Sequence, residues 1–133
     1  KIEEQTRWAE SLQSEIPRVI AANLAQILGD ALVSPYSQGV GGDADYRVAV
    51  DIQRFESAPG EAATIEALWV VSPGFGKSGA TRSGRSAARE PAKGMDYEAL
   101  VAAHSRALAG ISRDIAEAIR AERAAMKQEP KTK

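Results

Sequence analysis

Two stretches in the middle of the chain change the hydrophobic period from helical to strictly alternating. From Asp45, the residues Tyr46, Val48, Val50 and Ile52 fall on one side of an extended chain, and Arg47, Ala49, Asp51 and Gln53 on the other. A turn signal, Ala58-Pro59-Gly60-Glu61, follows, and a second alternating run extends from about Ala62 to Val71. Two strands joined by so short a connection pair antiparallel, so a hairpin stands at the centre of the fold. Arg54-Phe55 interrupts the alternation of the first strand and predicts a bulge near its end.

The segments on either side are helical. Trp8, Leu12, Ile16, Val19, Ile20, Leu24, Ile27 and Leu28 recur at steps of three and four. Pro17 interrupts this stripe and predicts a bend or a helix whose well-formed part starts later, and Gly29-Asp30 is a stop. Ala31-Leu32-Val33, before Pro35, reads as a brief edge strand, and Gly39 to Asp43 as a loop. The stretch from Ser72 to Arg89 reads as a loop and a weak edge strand, whose Arg82, Arg85 and Arg89 discourage unwanted pairing. Asp96 is placed to cap a last helix, with Glu98 in its first turn. That helix carries the stripe Tyr97, Leu100, Val101, His104, Leu108, Ile111, Ile115 and Ile119. The expected architecture is α+β: a two-layer sandwich, with an antiparallel sheet of three or more strands and two long amphipathic helices on one face. Residues 1–125 make one domain, and 126–133 a polar tail that frays.

Composition narrows the function. With 133 residues the chain holds one domain, and a net charge of -1 gives no field toward nucleic acid or an anionic bilayer. There is no cysteine, hence no disulfide, Cys-ligated zinc or thiol nucleophile in this stretch. A single histidine argues against a polyhistidine metal site or a Ser-His-Asp triad. No apolar run approaches the roughly 18 residues of a membrane-spanning helix. The chain opens at Lys1 without methionine, as a fragment or mature product would.

The candidate chemistries are weak. Gly74-Phe75-Gly76-Lys77-Ser78 ends like a phosphate-binding loop, but Val71 stands where its first glycine belongs, and a poor helix start follows. Asp43, Asp45 and Asp51 lack the spacing of a calcium loop. His104, on the apolar stripe, reads as a partly buried histidine bonded to a carbonyl or a nearby carboxylate, since no nucleophile or orienting partner accompanies it. The arginine series has no aromatic residues for base stacking. Trp8 and Trp69 read as core aromatics. Nothing calls for catalysis, a cofactor or a metal. Leu68 and Val70 stand out on the other face of the second strand, where polar residues are expected; either something covers them or they form a partner-contact surface.

Several stretches taken together resemble one family. They are Arg7 to Leu12, Asp45 to Glu56, Gly60-Glu61 leading into Ile65-Glu66-Ala67-Leu68-Trp69, Ala99 to Leu108, and Ile111 to Ala116. In this order and spacing they resemble the ABC-type transport auxiliary lipoproteins, a family that includes the paraquat-inducible lipoproteins of the PqiC type. Ser11 and the Gly/Ser-rich stretch from Ser72 to Ser86 depart from the family pattern. The resemblance implies a non-enzymatic periplasmic domain, tethered to the outer membrane by a lipidated cysteine upstream of Lys1. It implies as partners an MCE-domain protein with its permease and ATPase, moving phospholipids or other hydrophobic molecules between membranes. It also leaves room for a homo-oligomer and places a first strand before Lys1. The alternative reading is a soluble periplasmic lipid-binding carrier, with a small enzyme and a stand-alone periplasmic stress protein behind it.

Overall fold

The computed structural model describes residues 13–29, 33–35, 45–74 and 76–128, and the elements run α1 (Ile16–Leu28), β1 (Val33–Pro35), β2 (Tyr46–Ala58), β3 (Ala62–Pro73), β4 (Arg82–Pro91) and α2 (Tyr97–Gln128). The sheet order is β1-β2-β3-β4, an antiparallel meander of three long strands with the short β1 parallel to β2. Both helices pack against the sheet. The longer, α2, lies over β3 and β4, and α1 lies beside it toward β1. This is the α+β sandwich that the two periods demand.

Local chemistry sets the element ends. Pro17 occupies the first turn of α1, where its missing donor is not needed; the chain is helical at Gln13 and Ser14, turns at Glu15 and enters the well-formed helix at Ile16. Gly29 ends it at φ 80°, a left-handed conformation in which its N–H reaches Ala25 O at 3.0 Å. Asp96 caps α2 by accepting the Ala99 N–H at 2.9 Å. Trp8, Leu12, Ala31, Leu32 and Asp43 lie outside the described residues. Of the expected edge strand Ala31-Leu32-Val33, the described part is Val33, which opens β1.

The bulge is real, but it does not end β2. Pairing with β3 shifts between Ile52 and Arg54, and the strand continues to Ala58 with Phe55 opposite Ile65. The extra residue restores the inward face: Phe55 packs on the core instead of pointing to water. α2 continues as helix to Gln128, and 129–133 lie outside the described residues.

The core is formed by the inward side of β3 (Ile65, Ala67, Trp69, Val71) against Leu108, Ile111, Ile115 and Ile119 of α2 and Ile16, Ile20 and Leu24 of α1. Three polar clips then fasten α2 along β4. Arg106 donates to Glu90 and to the Pro91 carbonyl, Ser86 donates to Asp114, and Arg82 donates to Glu122. The helix members are eight residues apart, about 12 Å, and the strand members four apart, about 13 Å, so the two ladders stay in step along the interface.

Candidate interaction surface

Because both helices lie on one side of the sheet, no helix among the described residues covers its outward face. Leu68 and Val70 sit on that face, as the alternation of β3 requires. Leu68 lies between Asp51 of β2 and Arg85 of β4, and Val70 between Ala49 and Ser83. Leu68 is 42% exposed and Val70 half-buried. With Ala49 they form a small apolar strip.

Beside the strip lies a charge cluster. Glu66, two residues before Leu68, accepts hydrogen bonds from Arg85 at 3.1 Å and from Arg54 at 3.3 Å, and Arg54 also bonds Glu56 at 2.8 Å. The Arg85 hydrogen bond, ahead of the one from Arg54, holds the Glu66 carboxyl below its ordinary pKa. These pairs are solvated and add little to stability. They do tie two arginines to Glu66 beside the apolar strip of Leu68 and Val70.

The inward polar residues serve packing. His104 is fully buried, and its Nε2 shares a 2.7 Å hydrogen bond with the Ser57 hydroxyl. Its ring stacks on Phe55 with centroids 4.5 Å apart and planes 6° from parallel. The partner is thus a hydroxyl, not the expected carbonyl or carboxylate, because the extended β2 carries Ser57 under the helix. Burial pushes the His104 pKa down to about 4, so the imidazole is neutral at physiological pH. Trp69 Nε1 donates to Ser86 Oγ at 2.9 Å, and Ser86 donates onward to Asp114 at 2.6 Å. Trp69 is a core aromatic, as its place in the alternation indicates.

At the far end, buried Glu122 accepts the Ala80 N–H at 2.8 Å and Arg82 Nε at 3.0 Å. The Ala80 N–H, followed by Arg82, lowers the Glu122 pKa. Here the loop with the phosphate-loop-like residues is tied down. Lys77 Nζ lies 3.3 Å from Asp45 Oδ1, the Lys77 N–H bonds Gly74 O, and the exposed chain runs on into β4 rather than a helix. Phe75 lies outside the described residues. A shallow open groove of ≈ 370 Å³ beside this loop is lined by Tyr46, Lys77, Arg123 and Met126. Asp51 accepts from Gln53, and no group of three or more potential metal ligands occurs among the described residues.

The Glu66 clip and the Ser57–His104 pair are what sequence reading missed. The clip was within reach: alternation places Glu66 on the face of Leu68, and the β2 and β4 arginines had only to be put in register. Ser57 was not, because it lies beyond the bulge, where the period of β2 is reset.

The family model for the ABC-type transport auxiliary lipoprotein component matches residues 1–116. The chain belongs to this family. The family is that of an auxiliary component of ABC-type transport systems. A crystal structure of an uncharacterized protein shares the fold, with a TM-score of 0.65 and 21% identity over 81% of this chain and 66% of that one. A protein from Xanthomonas campestris in the DUF330 family is 28% identical over 55% of this chain and 43% of its own, with a TM-score of 0.39. The auxiliary lipoprotein domain described here thus spans 66% of the first of these chains and 43% of the second. No curated protein matches it. Among the described residues no helix is long and apolar enough to cross a membrane.

Proposed function

We propose that this domain is a non-enzymatic periplasmic adaptor of an MCE-type ABC transport system that carries phospholipid between inner and outer membranes. The observation that carries the reading is the family match over residues 1–116. The architecture supports it. His104 is buried on the inward side of α2, against Ser57 and Phe55. The sheet meanwhile leaves one face open, with Leu68 and Val70 on it.

In this reading the domain is held at the outer membrane by a lipidated cysteine upstream of Lys1. A net charge of -1 supplies no attraction to an anionic surface, and a single acyl chain binds only marginally at about 0.8 kcal/mol per CH₂, so a multiply acylated anchor does the holding. Leu68 and Val70 are then the contact with the MCE protein or a sister subunit. Burying the remaining exposed part of Leu68 contributes roughly 1 kcal/mol to such a contact.

The test begins with the full-length protein extracted from its own cell envelope. Its intact mass should include a diacylglyceryl group and an N-acyl chain on an N-terminal cysteine. It should co-purify with an MCE protein, and the Leu68→Glu/Val70→Glu variant should lose that partner while keeping its lipid. An unmodified protein carrying bound phospholipid would replace this reading with a soluble carrier.

A further inference from the structure

We propose that the outer edge of β4 accepts an extended acidic segment of a partner protein as a fifth strand of the sheet. Strand β4 pairs with β3 at ten successive positions, Arg82 to Pro91, without a register shift. No strand lies on its other side among the described residues. Alternate residues of such an edge aim their backbone N–H and C=O groups outward, which is the template for strand addition. The edge is also held straight. The three clips to α2, at Glu90, Ser86 and Arg82, fix its inward positions, and the only proline is the last residue. An incoming strand therefore meets a rigid partner and spends little on ordering it.

Charge selects the occupant. Residues 82–93 contain Arg82, Arg85, Arg89 and Lys93 against the single anion Glu90, in a chain whose net charge is -1. Arg82 is committed to Glu122, Arg85 to Glu66 and Glu90 to Arg106. Exposed Arg89 makes no ion pair among the described residues. Arg85, Ala87 and Arg89 share the solvent face of the strand, so the cations stand two side-chain places apart with a small residue between them. A second β4 laid antiparallel across this edge brings arginine ranks against each other, which disfavours self-association. A strand with a carboxylate opposite Arg89 meets the arginine that makes no ion pair among the described residues, while Arg85 beside it stays with Glu66. The charges that guard the edge against copies of itself therefore admit an acidic partner. The inference rests on the adaptor reading only for the existence of a protein partner. Its test involves no transporter and no lipid, so the two can fail separately.

The experiment is amide hydrogen exchange by NMR on the labelled domain with three capped peptides: alternating Thr and Glu, alternating Thr and Lys, and the acidic peptide N-methylated along one edge. The acidic peptide should slow exchange by at least about tenfold at the β4 amides not bonded to β3, and at no amide of α1. Added salt should weaken the effect, and so should Arg89→Glu, which breaks no existing ion pair. Equal protection by the lysine peptide overturns the charge argument, and equal protection by the N-methylated peptide overturns strand addition. Dimerisation of the domain alone with the same amides protected overturns the choice of occupant, and so does no protection at β4.

Discussion

The two sides of β3 differ in what their side chains are for. Facing inward, Ile65, Ala67, Trp69 and Val71 are buried to 8% exposure or less, and the polar atoms they meet are paired: Trp69 through Ser86 to Asp114. Facing outward, Glu66, Leu68 and Val70 remain in contact with water, and the charges there are tied in solvated pairs. The inner face is dictated by the fold, since each change there costs packing. The outer face is under less such demand, because its side chains keep contact with water.

Truncating each face in turn is the sharpest way to break this contrast. Ile65→Ala should destabilise the domain by about 3–4 kcal/mol, because a fully buried side chain leaves a cavity that neighbouring isoleucines cannot fill. Val70→Ala, on the opposite side of the same strand, should cost under about 1 kcal/mol. Urea unfolding of the two variants measures both, and equal losses would mean that the outer face is core.

The second prediction concerns pH. The His104 pKa is about 4 in the folded protein against 6.5 ordinarily, so the unfolded chain binds the proton first. Stability should be level above about pH 6.5, fall as pH drops toward 4 by roughly 3 kcal/mol from this group, and level again below. His104→Leu should flatten that slope in urea titrations between pH 7 and 4. Glu66, half-buried on the other face, should leave its shape unchanged on substitution by Gln across the upper half of this window.

Close approach gives a third, smaller effect. A Cβ built on Gly84 would stand 2.7 Å from Trp69 Cη2, inside van der Waals contact, because the indole lies against the β4 backbone there. Gly84→Ala should cost about 1–3 kcal/mol through overpacking, read by urea denaturation. It should also move the Trp69 fluorescence.

These inner-face effects trace residues that the sequence made legible, and the failures have a physical cause. Period two placed Ile65, Ala67, Trp69 and Val71 together, and the 3.6 period placed Leu108, Ile111 and Ile115 against them, because burial on one side writes itself into spacing. The weak-looking β4 was legible only as an edge: its Gly84, Ala87 and Ala88 carry little alternation, since Trp69 covers Gly84 and polar clips replace apolar contact. The length of β2 was misjudged because one bulged residue, Gln53, reverses the phase and hides Phe55 and Ser57 from a period-two reading. Leu68 and Val70 were legible as an anomaly. The spacing records which face they occupy and carries no signal for what lies over that face.

Leu68→Glu/Val70→Glu should have the smallest effect on stability and is the last way to sharpen the contrast. Leu68 is already 42% exposed, so a carboxylate there can remain hydrated. Its cross-strand neighbours are Asp51 on one side and Arg85 on the other, one repulsive and one attractive. For Val70 the neighbours are Ala49 and Ser83, and neither opposes a charge. Unfolding should therefore shift by no more than about 1 kcal/mol, within the range of surface substitutions plus the loss of two half-covered apolar groups. If the pair is a docking surface, the same variant should lose its envelope partner in co-purification while its urea midpoint stays near that of the parent. A large drop in the midpoint would instead assign Leu68 and Val70 to the stability of the sheet, and the outward face would then need no partner to explain it.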